Sequence, residues 1–227
     1  MERQDFISLL SPEGQALLAQ VGPLEAKADV VKLVSSLRAQ GHDAGLVAAV
    51  LTQAKLRRRA AAKFGPFAER MIFTEAGLEQ ASRLSVAALH ANRFRQAGIG
   101  EVADLGCGIG AESMALASLD INVKAFEIDE VTAAVATYNL SPFENAFVEQ
   151  ADVTALDLSK FEGLFFDPAR RELGGPARER ASRKFDPNAF SPTFDFVVEA
   201  AAKKPTGVKF GPGHPHEGIP ANAEAQW

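Results

Sequence analysis

The sequence predicts an α/β protein: a parallel sheet covered by helices on both faces, preceded by an all-helical segment over residues 1–97. Three observations predict it. Up to residue 97, apolar side chains recur at helical spacing between capping residues and Gly or Gly-Pro stops. After Gly98, short apolar runs alternate with helical stretches, the order that builds parallel strands joined by crossover helices. Between the two regimes stands Val102-Ala103-Asp104-Leu105-Gly106-Cys107-Gly108-Ile109-Gly110, an apolar strand that enters a glycine turn and then Ala-Glu-Ser-Met-Ala-Leu-Ala, a helix.

The helical segment reads in order. Ser11-Pro12-Glu13 starts a helix with Ser as N-cap, Pro at the first position and an acid at the positive end of the dipole; Gly22-Pro23 stops it. Val30, Leu33, Val34 and Leu37 form a second helical stripe, closed by Gly41. Asp43 caps a third, with Leu46, Val47, Val50, Leu51 and Ala54 as its apolar face and Gly65-Pro66 as its end. Thr74 caps a fourth, predicted to run unbroken from Glu75 to Arg95, with Gly98 beyond it.

In the second unit, residues 98–227, strands are expected at Glu101–Leu105, Val123–Phe126, Phe147-Val148, Gly163–Phe166 and Val208–Phe210. Helices are expected over Ala111–Ser118, from Asp129 to Tyr138, and from Ser191-Pro192 to before Pro205. The tail from Gly211 to Trp227 is rich in Gly, Pro and Ala and stops where another apolar strand could begin. The sheet is therefore expected to be truncated after its fifth strand, and the natural chain to continue.

Composition bounds the function. With 47% hydrophobic and 23% charged residues the chain is that of an ordinary globular protein. A net charge of −5 excludes a general polycation, so contact with nucleic acid must come from local patches. The single cysteine, Cys107, excludes an internal disulfide and makes a reducing compartment the default. The polar start, Met1-Glu2-Arg3-Gln4-Asp5, has no signal-peptide pattern, and no run is long and apolar enough to span a bilayer. A cytoplasmic protein without membrane contact is expected.

Glycine takes φ > 0 and lets a ligand approach the backbone, and the helix start behind the turn offers free N–H groups. Two cofactors compete for this turn. Gly106 to Ala111 fits G-x-G-x-x-A, the dinucleotide pattern, with Glu127 as its downstream acid. Read from Asp104, the same residues form D-x-G-x-G-x-G, the S-adenosylmethionine turn. Asp104 favours the second reading, because a carboxylate there faces an ammonium well and repels a pyrophosphate. Other acids fall in register. Glu127 closes the second strand, where it can accept from ribose hydroxyls; Asp152 follows the third, where it can accept from an adenine amine; Asp167 closes the fourth. All four would stand at strand carboxyl ends, where open α/β sheets bind ligands. The expected cofactor wall is Asp104, Gly106, Cys107, Gly108, Gly110, Glu127, Ile128, Asp152 and Val153.

Residues 98 to 210 resemble class I S-adenosylmethionine-dependent methyltransferases, most specifically through Asp104–Gly110 with Glu127. Over its whole length the chain resembles a bacterial family in which a methyltransferase domain precedes a THUMP-like domain. The stretches that carry this are Phe73–Ser82, Phe165-Phe166-Asp167-Pro168-Ala169-Arg170-Arg171, and Gly211-Pro212-Gly213-His214 to Trp227. The THUMP-like part would lie beyond Trp227. The resemblance implies a Rossmann-like sheet, S-adenosylmethionine as cofactor and, since THUMP domains are associated with RNA, a tRNA or rRNA substrate. It also implies a cover over the cofactor from the segment before the first strand, for which Thr74 and Gln80 are the candidates.

Asp167-Pro168-Ala169-Arg170 is similar to the [DN]-P-P-x motif of methyltransferases acting on base nitrogens, with Ala third and Arg fourth. The D-P-x-R form looks more like enzymes that modify guanine or uridine in RNA. Uridine-C5 methylation needs a thiolate, and the only one available, at Cys107, belongs to the cofactor turn. Transfer to a nitrogen needs mainly positioning. The expected catalytic set is Asp167 and the Pro168 carbonyl, which orient the acceptor, with Arg170 on base or phosphate. Lys55–Lys63 and the loop from Arg170 to Lys184, with Arg171, Arg178, Arg180 and Arg183, are the candidate RNA contacts; each also reads as a solvated surface. His214-Pro215-His216 lacks the partners of a metal site, so no metal is expected; His42 and His90 have no partner legible in the sequence. The alternatives are a small-molecule or protein methyltransferase, a non-catalytic S-adenosylmethionine-binding module and, more distantly, a nicotinamide dehydrogenase.

Overall fold

The structure, a computed structural model, describes residues 1–24, 30–170, 190–210 and 216–226. The leading helices are α1 (Arg3–Leu10), α2 (Pro12–Val21), α3 (Val30–Ala39), α4 (Ala44–Phe64), α5 (Glu75–Gln80) and α6 (Leu84–Gln96). Ser11 Oγ accepts from Gly14 N at 3.0 Å, and Asp43 accepts from Gly45 N and Leu46 N, so the expected caps of α2 and α4 are formed. α1 was not among the expected helices. Its N-terminus is closed by a reciprocal Glu2–Asp5 box in which an acid replaces the usual Ser or Thr.

The helix expected over Glu75–Arg95 is broken into α5 and α6 at Ala81-Ser82-Arg83. Ala81 leaves helical geometry with ψ 139°. Lys63 Nζ donates to the carbonyls of Leu78 (2.8 Å), Glu79 (2.8 Å) and Ala81 (2.7 Å), and Lys209 Nζ donates to that of Gln80 at 3.2 Å. Two ammonium groups thus satisfy the carbonyls that a continuing helix would have bonded internally.

The sheet contains β1 (Glu101–Leu105), β2 (Asn122–Glu127), β3 (Ala146–Gln150) and β4 (Gly163–Phe166). A short antiparallel pair, β5 (Ala169–Arg170) and β6 (Phe190–Ser191), stands apart, and β7 (Thr206–Val208) completes the main sheet. Its five strands lie in the order β3-β2-β1-β4-β7, all parallel. The crossovers include α7 (Ala111–Ala117), α8 (Glu130–Leu140) and α9 (Phe194–Ala201). α9 is capped by Thr193, which accepts from Phe196 N; Ser191-Pro192 does not start it, because Ser191 belongs to β6.

Alternate residues bury both faces of the sheet. Val102, Val123, Ala125 and Phe165 join a core that runs continuously into the leading helices, while Ala103, Leu105, Leu164 and Phe166 pack with Val197 and Ala200 of α9. Each fully buried Phe contributes about 2–3 kcal/mol through area removed from water. The segment Met71-Ile72-Phe73 is buried without regular secondary structure, and side chains satisfy its backbone. Arg57 Nε donates to Met71 O at 2.9 Å. Asn139 accepts from Ile72 N and donates to Ile72 O, and Gln53 does the same with Phe73. These bonds deliver Thr74 and α5 to the carboxyl end of the sheet. The chain reverses its strand order between β1 and β4, which opens a crevice at that end. Among the described residues no helix is long and apolar enough to cross a membrane.

Candidate functional site

The glycine turn after β1 needs its glycines for two different reasons. Gly106, Gly108 and Gly110 have φ of 95°, 54° and 92°, a region L side chains rarely adopt. Gly106 and Gly108 line a cavity of about 400 Å³ together with Cys107 and Ile109. Gly110 does not; it caps α7, and a Cβ there would stand 3.2 Å from Leu140 Cγ, so its role is packing against α8. The end of β2 holds the turn: Gly106 N and Cys107 N both donate to Phe126 O at 2.9 Å, and Gly108 N donates to Glu127 Oε2 at 3.0 Å.

The four acids at the strand ends line this one cavity, together with Ile128 and Val153. Asp104 is fully buried; Ser113 Oγ donates to its Oδ2 at 2.5 Å, and its Oδ1 has no hydrogen-bond partner among the described residues. Burial pushes its carboxyl up to about 7; the Ser113 hydroxyl opposes this, and the Glu112 and Asp167 carboxylates reinforce it. Glu127 also accepts from Asp129 N at 3.0 Å through Oε1. Asp152 holds its loop by accepting from Thr154 N and Oγ1. Asp167 is raised by burial, against which the Lys209 ammonium, donating to its Oδ2, acts in the opposite direction. Pro168 lies beside it in the cavity wall. Cys107 is buried, and desolvation with the charges of Asp104 and Glu127 holds its thiol well above the ordinary value, so it is not an activated nucleophile.

A further part of the lining comes from α5 and the break after it: Gly77, Gln80, Ala81 and Ser82. Thr74 does not line the cavity; its Oγ1 accepts from Gly77 N at 2.9 Å and caps α5. Gly77 lies so close to the glycine turn that a Cβ there would overlap Ile109 Cγ2 and Thr74 Oγ1. Gly77→Ala is expected to destabilise the chain by about 1–3 kcal/mol through overpacking, measured by urea denaturation. An unchanged midpoint would show that α5 yields freely.

Sequence reasoning missed Lys209, Glu112, Ser82 and His90. Glu112, buried in the first turn of α7, accepts from Ser82 Oγ at 2.5 Å and pairs with His90 Nδ1 at 3.1 Å, while the His90 ring packs on Phe165. His42, likewise left without a partner, pairs with Glu13 at 2.7 Å. Of the expected basic patch on α4, Arg57 is buried on Met71 O, Arg59 pairs with Glu75 and Glu79, and Lys63 closes α5. Lys55 and Arg58 are exposed. The backbone of Arg170 pairs with Phe190. Its side chain and the expected contacts Arg171, Arg178, Arg180, Arg183 and Lys184 lie outside the described residues, as do His214 and Pro215. Among the described residues no group of three or more His, Cys, Asp or Glu is arranged to hold a metal.

S-adenosylmethionine presents donors and positive charge: an ammonium, a sulfonium, ribose hydroxyls and an adenine amine. The cavity presents acceptors. Asp104 Oδ1 is buried at its wall and has no partner among the described residues, and each Glu127 oxygen accepts one backbone N–H and keeps a lone pair. These residues fit the expected cofactor better than a pyrophosphate.

Comparison with known proteins agrees. Residues 67–168 match a family model described as Methyltransferase small domain, and residues 2–60 match one described as Domain of unknown function (DUF8688). Two proteins of Mycobacterium tuberculosis, from strains CDC 1551 / Oshkosh and ATCC 25618 / H37Rv, are each described as an uncharacterized S-adenosylmethionine-dependent methyltransferase. Both are 31% identical to this chain over 168 residues, a match covering 70% of this chain and 43% of each relative. This chain therefore covers less than two thirds of their length. The crystal structure of a candidate methyltransferase from Porphyromonas gingivalis W83 superposes with a TM-score of 0.58 at 22% identity, over 83% of this chain and 45% of that one. The helical lead-in and the parallel five-stranded sheet are the Rossmann-like fold of such structures.

Proposed function

We propose that this chain is a class I S-adenosylmethionine-dependent methyltransferase that methylates a base nitrogen in RNA, tRNA or rRNA. The observation that carries the reading is a single cavity that brings two chemically distinct sets of residues together: the cofactor set Asp104, Gly106–Gly108, Glu127, Ile128, Asp152 and Val153, and the acceptor set Asp167 and Pro168. When bound, the cofactor supplies an electrophilic methyl group. The chain's own residues hold the acceptor in line. The Asp167 carboxylate and the Pro168 carbonyl accept from the acceptor's N–H groups, which orients the nitrogen lone pair. Gln80 contributes to the cover; Thr74 acts through α5. The desolvated Cys107 thiol speaks against C5 chemistry.

The RNA part of the proposal rests on the Asp167–Arg170 motif, on the basic composition of residues 170–184 and on the exposed Lys55 and Arg58. Kinship with the THUMP-like family, a boundary between two units at residue 97 and a cytoplasmic location belong to the same proposal. Nucleoside mass spectrometry of RNA from cells with and without the gene tests it: one methylated nucleoside is expected to vanish. Calorimetry is expected to show binding of S-adenosylhomocysteine and none of NAD. Unchanged RNA with a lost methyl on a protein or metabolite would move the substrate to that class. Cofactor binding without any methylated product would make the chain a binding module.

A further inference from the structure

Lys209 stands where three elements meet. Its backbone N–H donates to Phe166 O at 2.9 Å, which fixes it beside the end of β4. Its ammonium donates both to Asp167 Oδ2 and to the carbonyl of Gln80. Lys209 and Asp167 are both largely buried, their side chains 25% and 29% exposed, and both line the cavity. On the other side of the same chain break, Lys63 holds the carbonyls of Leu78, Glu79 and Ala81. The end of α5 is therefore hooked twice: to the leading helices by Lys63, and to the site by Lys209.

We propose that Lys209 is a positioning residue of this site: it ties the Asp167 carboxylate to the Gln80 carbonyl, and so locks the acceptor-side carboxylate to the α5–α6 segment that walls the same cavity. The proposal rests on the reading of Asp167 as the acceptor-side group. A lysine is suited to this, because three donors on one nitrogen reach a carboxylate and a carbonyl together.

The charges around Asp167 come from every side. Glu112 of α7 and Asp104 of β1 disfavour its ionisation; Lys209 and His90 of α6 favour it; Lys63 of α4 lies within electrostatic reach of Lys209. Without the Lys209 ammonium, a desolvated carboxyl would face Glu112 and Asp104, with His90 the group in opposition among the described residues. It would hold its proton to higher pH and offer an acceptor amine an O–H where it needs an acceptor.

Carboxyl-¹³C NMR of the chain without substrate, with Asp167 assigned by its loss in Asp167→Asn, reads this directly. In Lys209→Met the Asp167 midpoint is expected to move up, and in Lys209→Arg to stay near wild type. Affinity for S-adenosylhomocysteine by calorimetry is expected to fall several-fold in Lys209→Met. In wild-type protein the ¹⁵Nζ signal of Lys209 is expected to shift at the Asp167 midpoint, a measurement that needs no variant to fold. An unchanged midpoint or affinity in folded Lys209→Met, or a Lys209 signal insensitive to Asp167, overturns the proposal. None of these readouts involves methyl transfer, so their failure and that of the methyltransferase reading are separable.

Discussion

Asp167→Asn is expected to lower kcat/KM for methyl transfer by about 10²- to 10³-fold, the range seen when one preorganised polar group at a reacting centre is removed. Affinity for S-adenosylhomocysteine is expected to fall far less, by no more than the several-fold loss expected of Lys209→Met, because the same Asp167–Lys209 tie is weakened. The carboxylate stands at the end of β4, inside the cavity and beside the glycine turn, where a Cβ at Gly106 would lie 3.4 Å from the Asp167 carbonyl oxygen. Asn keeps the shape but turns one acceptor into an NH₂ donor. That donor faces the acceptor's own N–H groups and the ammonium of Lys209, both of which need a lone pair. The loss is felt where the nitrogen must be held in line, so kcat and kcat/KM should fall together rather than KM rising alone. Transfer of labelled methyl groups to RNA from a strain lacking the gene measures the first quantity, and calorimetry the second. Wild-type turnover in a folded Asp167→Asn would remove this carboxylate from the reaction.

What the sequence made legible is what local physics decides. The glycine turn was readable because L side chains are strained at the φ values of Gly106, Gly108 and Gly110. The shared position of Asp104, Glu127, Asp152 and Asp167 was readable because parallel strands bring their carboxyl ends to one edge. What escaped depends on partners distant in sequence. Lys209 reads as the middle of the strand expected over Val208–Phe210; the strand formed, β7, ends at Val208, and its pairing with β4 brings Lys209 to Asp167. Propensity favours one helix from Glu75 to Arg95, but ammonium groups from α4 and from the end of β7 take the carbonyls at its break. The same tertiary bonds give part of the run Lys55–Lys63 a second use that its sequence does not show: Arg57 and Lys63 donate to backbone carbonyls, while Lys55 and Arg58 stay exposed. Glu112, inside the mostly apolar Ala-Glu-Ser-Met-Ala-Leu-Ala, was one such signal in the sequence: a buried acid needs partners, and it has Ser82 and His90.

Between pH 4 and pH 7 the stability of the ligand-free chain is expected to fall by up to about 1.4 kcal/mol per pH unit on account of Asp104 alone. Its folded value is about 7 against an ordinary 3.8. Within that window the native chain holds a proton that the unfolded chain has released, so rising pH favours unfolding; above it both states are ionised and the contribution levels off. Asp104→Asn keeps an acceptor for Ser113 and has no proton to lose. It is expected to match wild type near pH 4 and to exceed it by an amount of order 4 kcal/mol at pH 8. Urea denaturation of both proteins across the range measures the difference, in which the other titrating groups largely cancel; parallel curves would sink the assignment. The same carboxyl should then tune ligand binding with the opposite sign. A cation brought to the unpartnered Oδ1 favours the ionised form, so binding expels the proton. Affinity for S-adenosylhomocysteine, which carries an ammonium, is expected to weaken by up to about tenfold per unit as pH falls below 7 in wild type. In Asp104→Asn it is expected to be weak and level. A buried carboxylate with one bare oxygen is costly in the folded chain, and a ligand cation at that oxygen offsets the cost, which is why a stability penalty and a binding site occupy the same residue.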